Sequence, residues 1–318
     1  MFRKLFRKFL LKTRNLVVKI IPENNRFYRF LVLIGIRLNA KSQQKRLTTL
    51  KMTINATHHC NLNCKCCTAF SPIADEYFID VETLQRDLNK LAQLSNSLSL
   101  RGTKLPSSFN KMSDFIITGG EPLLHPRLTE IFRITREIFP DTRIVVLTNG
   151  VLLAQKPESF WESCNQYRVS ISISKYPISI NINDIVYKAK KHFVEYSFVG
   201  GLDVPVKSLW KYPIDLEGKQ TLKNSFKLCS QVNTCFSLDD GKIYPCNPIA
   251  MAKYFNKAFN QNLEISDSDI LDLENVSTLD EIFDFLCSPK PFCRYCNRQD
   301  IVLGIKHGKS NKSIDEWT

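Results

Sequence analysis

Cys60, Cys64 and Cys67 stand in the run CNLNCKCC, a Cys-x3-Cys-x2-Cys triad that directly follows the apolar stretch at residues 52–56. Three thiolates so close in sequence can ligate three irons of a 4Fe–4S cluster and leave the fourth open to a substrate or cofactor. A cluster that only carries electrons takes four thiolates. The alternative is zinc, which structural sites hold with four protein ligands set in pairs such as Cys-x2-Cys. Cys64 and Cys67 would then be one pair, and Cys293 and Cys296, at the same spacing, the other.

The run from Phe115 through Gly119, Gly120 and Glu121 to Pro122 reads as a short buried strand stopped by two glycines and a proline. The glycines admit backbone conformations and a close approach that a side chain would block. Glu121 sets a carboxylate where it can pair with an ammonium group. Two further strands end in polar residues: Arg143 to Thr148 with Asn149 after it, and a strand from Val169 carrying Ser172, Ser174 and Lys175. For the serines, plain strand alternation competes with a binding role. Between the strands, Leu84, Leu88, Leu91 and Leu94 repeat at helical spacing over residues 81–98, and residues 128–139 repeat the pattern. Alternation of strand and helix over roughly 150 residues predicts an α/β fold with a parallel sheet. A full eight-unit barrel takes about 250 residues, so an open, partial barrel is expected.

These motifs, in this order, resemble the radical S-adenosylmethionine (SAM) superfamily. The resemblance implies a partial (β/α)6 TIM-like barrel and a cluster on Cys60, Cys64 and Cys67 whose open iron binds SAM. Gly119, Gly120 and Glu121 match the motif that holds the methionine amine, and Thr148 and Asn149 the segment by the nucleoside; Ser172 and Ser174 are further candidate cofactor contacts. The implied activity is reductive cleavage of SAM to a 5′-deoxyadenosyl radical that abstracts a hydrogen atom, with an electron donor such as flavodoxin or ferredoxin. Cys66 stands where the family usually has an aromatic residue.

Six of the eleven cysteines, at 229, 235, 246, 287, 293 and 296, lie in the last third of the chain. Their pattern resembles the SPASM and twitch extensions of radical SAM enzymes, and their number suits the shorter twitch form with one auxiliary 4Fe–4S cluster, making two clusters in all. The ligands implied are Cys229, Cys246, Cys293 and Cys296. Cys235 is an alternative to Cys229, because both precede the turn at Asp239-Asp240-Gly241, and structural zinc is the competing occupant. Cys164 and Cys287, in apolar helical surroundings, read as small core residues. The expected organisation is a basic segment at 1–51, the barrel at 52–215, a twitch-like domain at 216–300 and a tail at 301–318.

The whole net charge of +13 belongs to residues 1–51, where fourteen Lys and Arg face one acid, Glu23. Phe2, Leu5, Phe6, Phe9 and Leu10 share one helical face and Arg3, Lys4, Arg7 and Lys8 the other, the composition of a helix lying on an anionic membrane. A helix packed on the barrel is the alternative. The longest apolar run there, residues 30–36, falls far short of the roughly 20 residues that cross a bilayer. Confinement of the charge to one end argues against a nucleic-acid partner. With no secretory signal and cysteines spaced for clusters, a cytoplasmic location is expected, peripheral at the inner face of the membrane. A single auxiliary cluster and the likeness to twitch enzymes favour a small, carbohydrate-like substrate. A peptide- or protein-modifying maturase is the alternative, and a non-enzymatic metal-binding scaffold at a membrane a second. No catalytic side chain is singled out.

Overall fold

The computed structural model describes residues 49–95, 112–199, 208–229, 231–232 and 234–318, with short pieces at 30, 34–35, 99–100 and 103–104. The amphipathic face at residues 2–10 lies outside the described residues. β1 (Leu50–Thr57) is followed by α1 (Val81–Ser95), β2 (Met112–Gly119), α2 (Leu128–Ile138) and β3 (Arg143–Thr148). Then come α3 (Glu158–Gln166), β4 (Val169–Ile173), α4 (Ile182–Lys191) and β5 (Tyr196–Phe198). The five strands pair in parallel in chain order.

Side chains alternate across each strand, and the sequence uses both faces. Leu50, Met52 and Ile54 of β1, Phe115 and Ile117 of β2, Ile144 and Val146 of β3, and Ile171 and Ile173 of β4 share one core with the leucines of α1 and with Ile131 and Phe132 of α2. By the same alternation Thr53, Asn55, Thr118, Ser170 and Ser172 fall on the other face, away from the helices. Ile116, Val145 and Leu147 share that face, so the barrel interior mixes polar and apolar side chains.

The sheet continues past β1. After β6 (Ser208–Lys211) and α5 (Leu222–Leu228), the hairpin of β7 (Ser237–Asp239) and β8 (Lys242–Tyr244) turns at Asp240 and Gly241, both at positive φ (46° and 73°), as a two-residue hairpin loop demands. β7 pairs with β1 in parallel. With α6 (Asn247–Phe259) and β9 (Leu271–Asp272), which pairs with β8, the order becomes β9-β8-β7-β1-β2-β3-β4-β5. Six adjacent strands, β7 to β5, are parallel, the number expected, but the sixth comes from beyond the boundary at 215–216. Phe236, Leu238 and Ile243 of the hairpin, and Ile282 and Phe283 of α7 (Leu279–Leu286), belong to the barrel core. A second core gathers Phe70, Ile214, Phe255, Phe292 and Trp317 around α6.

Residues 301–318, expected as a tail, are part of the fold. β10 (Val302–Lys306) pairs antiparallel with β6, and the chain beyond it lies on the cysteine loop.

Asp87 ties α1 to the hairpin: its Oδ2 accepts the Gly241 N–H at 2.8 Å. Burial pushes its carboxyl up from 3.8 to about 6. The folded state therefore holds the Asp87 proton more tightly than the unfolded chain, and this site loses stability as pH rises through that interval. Asp87→Asn keeps an oxygen acceptor without the charge. It is expected to melt at a higher temperature than wild type at neutral pH and to lose this part of the pH dependence. Superimposable melting profiles across that interval would refute the assignment.

Candidate functional site

β1 runs directly into His58, His59 and the cysteine loop at the C-terminal edge of the parallel strands, where β/α barrels build their sites. Burial pushes the Cys60 thiol up to about 11 and Cys64 up to about 12, with the charges of neighbouring thiols, Cys67 for Cys60 and both partners for Cys64, adding to it. Thiols in this state need a cation to draw out their thiolates, which a cluster's irons supply, so the donor set fits the group. Among the described residues no three His, Cys, Asp or Glu side chains close on a single ion position; on a cluster each thiolate sits on a different iron. Cys66 sits at φ 57°, and its thiol is raised by burial and then by Glu316, with Cys67 the least of its influences.

The Gly-Gly-Glu segment is stitched to the end of β1 by backbone bonds, Gly120 N–H to Thr57 O at 2.9 Å and Glu121 N–H to His59 O at 3.1 Å. A Cβ on Gly120 would lie 1.9 Å from His59 O, and one on Gly119, which has φ 130°, 1.9 Å from Thr57 O. The glycines thus admit the chain's own backbone, where sequence alone pointed to a ligand.

Glu121 is 1% exposed. Its Oε1 accepts from Thr148 Oγ1 at 2.6 Å and Leu123 N at 3.1 Å, and its Oε2 from Asn149 N at 2.9 Å. Burial raises its pKa against the pull of these three donors. Of a carboxylate's roughly four acceptor positions, one remains, on Oε2. Asn149 Nδ2 donates to Asn61 Oδ1 at 2.8 Å and lies 3.9 Å from Cys60 Sγ, so the strand ends at 119–121 and 148–149 and the cysteine loop form one body. Ser172 is half-buried on the inner face, and Ser174 is held through its backbone N–H to Thr148 O at 2.8 Å. On that face the buried Asn55 Nδ2 and Ser237 Oγ have no partner.

Three further groups complete the site. His58 stacks on Tyr77 at 3.9 Å between ring centroids, with Nε2 2.7 Å from Asp239 Oδ2 and Nδ1 2.8 Å from Tyr254 Oη, which fastens the loop to β7 and α6. His307 Nε2 lies 3.3 Å from Cys64 Sγ, and its ring stands 5.2 Å from that of Tyr176. Trp317 Nε1 donates to Cys67 O at 2.8 Å, Lys65 N to Gly308 O at 3.0 Å and Ser310 N to Asn63 O at 2.8 Å. The Asp-Asp-Gly turn flagged the hairpin but not the His58 partner, and nothing local in the sequence connects Cys64 to His307.

The downstream cysteines form a second group. Cys229 follows α5, Cys246 stands at the N-terminus of α6, and Cys293 lies in a short helical turn that Cys296 ends. Cys246 feels the charges of Cys296, Cys229 and Cys293, Cys293 those of Cys296 and Cys229, and Cys296 that of Cys229, while Cys235 is touched by Cys229. Burial pushes Cys293 up to about 12 and raises Cys246 and Cys296 as well. Arg298, 5% exposed, lies beside Cys229, Cys296 and Cys246.

The family model of the radical SAM superfamily matches residues 54–188, and the chain carries a radical SAM domain over that span. A curated relative, the GTP 3′,8-cyclase of Microcystis aeruginosa (strain NIES-843 / IAM M-2473), is 38% identical over 69 residues, which are 22% of this chain and 20% of that protein. The chain thus matches about a fifth of that relative's length. A crystal structure of BtrN in complex with AdoMet and 2-DOIA is similar at 17% identity over 78% of this chain and 93% of that one, with a TM-score of 0.44. Streptococcus suis SuiB bound to precursor peptide SuiA is similar at 16% identity over 62% and 51%, with a TM-score of 0.29.

Gly120→Ala is expected to drive the 57–59 backbone away and open the cysteine loop. Iron retained after anaerobic reconstitution should fall, since the thiol set of Cys60, Cys64 and Cys67 is lost, while the fold survives by circular dichroism. Iron content equal to wild type would show that the close approach is dispensable.

Proposed function

We propose that this protein is a radical SAM enzyme that removes a hydrogen atom from a small sugar- or polyol-like molecule and oxidises it. In this reading a second 4Fe–4S cluster sits on Cys229, Cys246, Cys293 and Cys296. The observation that carries it is the second set of four thiols in mutual electrostatic reach, beside the triad on the radical SAM domain. Cys229 is preferred to Cys235 because Cys246, Cys293 and Cys296 each feel the Cys229 thiol and none of them that of Cys235.

When bound, the clusters and SAM supply one-electron chemistry: removal of a substrate hydrogen atom and acceptance of the remaining electron. The protein's own part is positional. Cys60, Cys64 and Cys67 hold the first cluster, and Glu121 offers its remaining Oε2 acceptor position to the SAM ammonium. Thr148 and Asn149 keep that carboxylate in place, and Ser172 and Ser174 flank the cofactor. Asn55 and Ser237 present unpartnered polar atoms on the inner face, suited to a substrate hydroxyl. Residues 307–317 cover the cysteine loop and keep water from it. Flavodoxin or ferredoxin is the electron donor.

Anaerobic reconstitution is expected to give about eight irons per chain, two clusters' worth, and to release 5′-deoxyadenosine from SAM under a strong reductant. Replacing Cys60, Cys64 and Cys67 together by Ala should halve the iron and abolish that release. Stoichiometric zinc without iron–sulfur absorption would overturn the reading. Deuterium transfer into 5′-deoxyadenosine from a labelled peptide, with none from labelled polyols, would favour the maturase alternative.

The basic residues 1–51 are proposed to dock the enzyme on the cytoplasmic face of an anionic membrane, each Lys or Arg near the surface adding about 1 kcal/mol. Among the described residues no helix is long and apolar enough to cross a membrane. Co-sedimentation with anionic vesicles should be strong at low salt, weaken as salt rises and vanish on deletion of residues 1–48, which spares β1 and its buried Leu50, with both clusters retained. Loss of iron in the truncated protein would instead make that segment part of the fold.

A further inference from the structure

Arg298 is a buried cation that pairs with no carboxylate among the described residues. Its Nη2 donates to Gln231 Oε1 at 3.2 Å and lies 4.0 Å from Cys296 Sγ, and its guanidinium carbon stands 4.8 Å from the centroid of the Tyr212 ring. Nε and Nη1 are buried with no hydrogen-bond partner. A guanidinium stays charged in proteins and offers five donors; burying it without an anion, and with N–H groups unmade, is costly. Neutral thiols do not repay that cost. Four thiolates on an iron–sulfur cluster do, because the assembly is anionic and its sulfurs accept hydrogen bonds.

We propose that Arg298 supplies its unpartnered N–H groups to the auxiliary cluster and, as a fixed positive charge, raises that cluster's reduction potential so that it can take an electron from the substrate. The inference rests on the reading of Cys229, Cys246, Cys293 and Cys296 as cluster ligands. Reduction adds one negative charge, which a neighbouring cation in a low-dielectric interior stabilises, and hydrogen bonds to the sulfurs act in the same direction. For an alcohol carbon, loss of one hydrogen atom to the SAM-derived fragment leaves a substrate radical. That radical becomes a carbonyl by losing one electron to the auxiliary cluster and its hydroxyl proton to water. The electron then passes to a one-electron carrier of the flavodoxin or ferredoxin class. Because guanidinium does not titrate in the working range, the poise set by Arg298 is independent of pH.

The test is a redox titration followed by electron paramagnetic resonance on the reconstituted full chain, comparing wild type, Arg298→Gln and Arg298→Lys. In Arg298→Gln the auxiliary cluster is expected to be at least tenfold harder to reduce, a fall of about 59 mV for a one-electron couple, while the cluster on Cys60, Cys64 and Cys67 is unmoved. Arg298→Lys should recover most of the shift. An auxiliary potential unchanged in Arg298→Gln, with both clusters loaded, would overturn the inference. If Arg298→Gln fails to hold the auxiliary cluster, its return in Arg298→Lys supports a role for the charge, and its continued absence overturns it. Failure of the underlying reading is seen separately, as a wild type with one cluster.

Discussion

The backbone seam between residues 57–59 and 119–121 governs this molecule. Two N–H to carbonyl bonds close it, and two glycines make it possible because any Cβ there would overlap carbonyl oxygen. Through that seam β2 fixes where the cysteine loop leaves β1. The buried Glu121 carboxylate then extends the join to β3 by taking donors from Thr148 and Asn149. An uncompensated buried carboxylate is expensive, so these contacts stand or fall together, and the separate motifs of the sequence become one connected body.

Much of this was legible in the chain. The leucine spacing of α1 and the apolar strands around Phe115 and Ile144 announced the α/β alternation, and the cysteine and Gly-Gly-Glu spacings announced the superfamily, because each is a local pattern. What escaped was set by pairing between distant residues. Nothing around Ser237 reveals that it lies beside Thr53, since a three-residue strand has too few positions to advertise its neighbour. The permissiveness of Gly119 and Gly120 is plain in the sequence, but one partner that uses it, a backbone some sixty residues away, is not.

The hairpin at 237–244 and the His58–Asp239 contact make the region of the second thiol group continuous with the barrel. Asp239 takes His58 on one oxygen and Tyr77 on the other, so the residues just before the triad and those leading to Cys246 share a buried polar anchor. Such an arrangement favours a fixed distance between the two thiol groups, which matters for any transfer of a single electron through protein.

The closure of the cysteine loop by residues 307–317 bears on how the protein is made. Cys64 and His307 are 243 positions apart in the chain, so on the ribosome the first thiol group is complete long before its cover is synthesised. Contacts of such long range form late in folding. The cover is therefore raised after the thiols it shields, and until residues 307–317 are made the cysteine loop stands open.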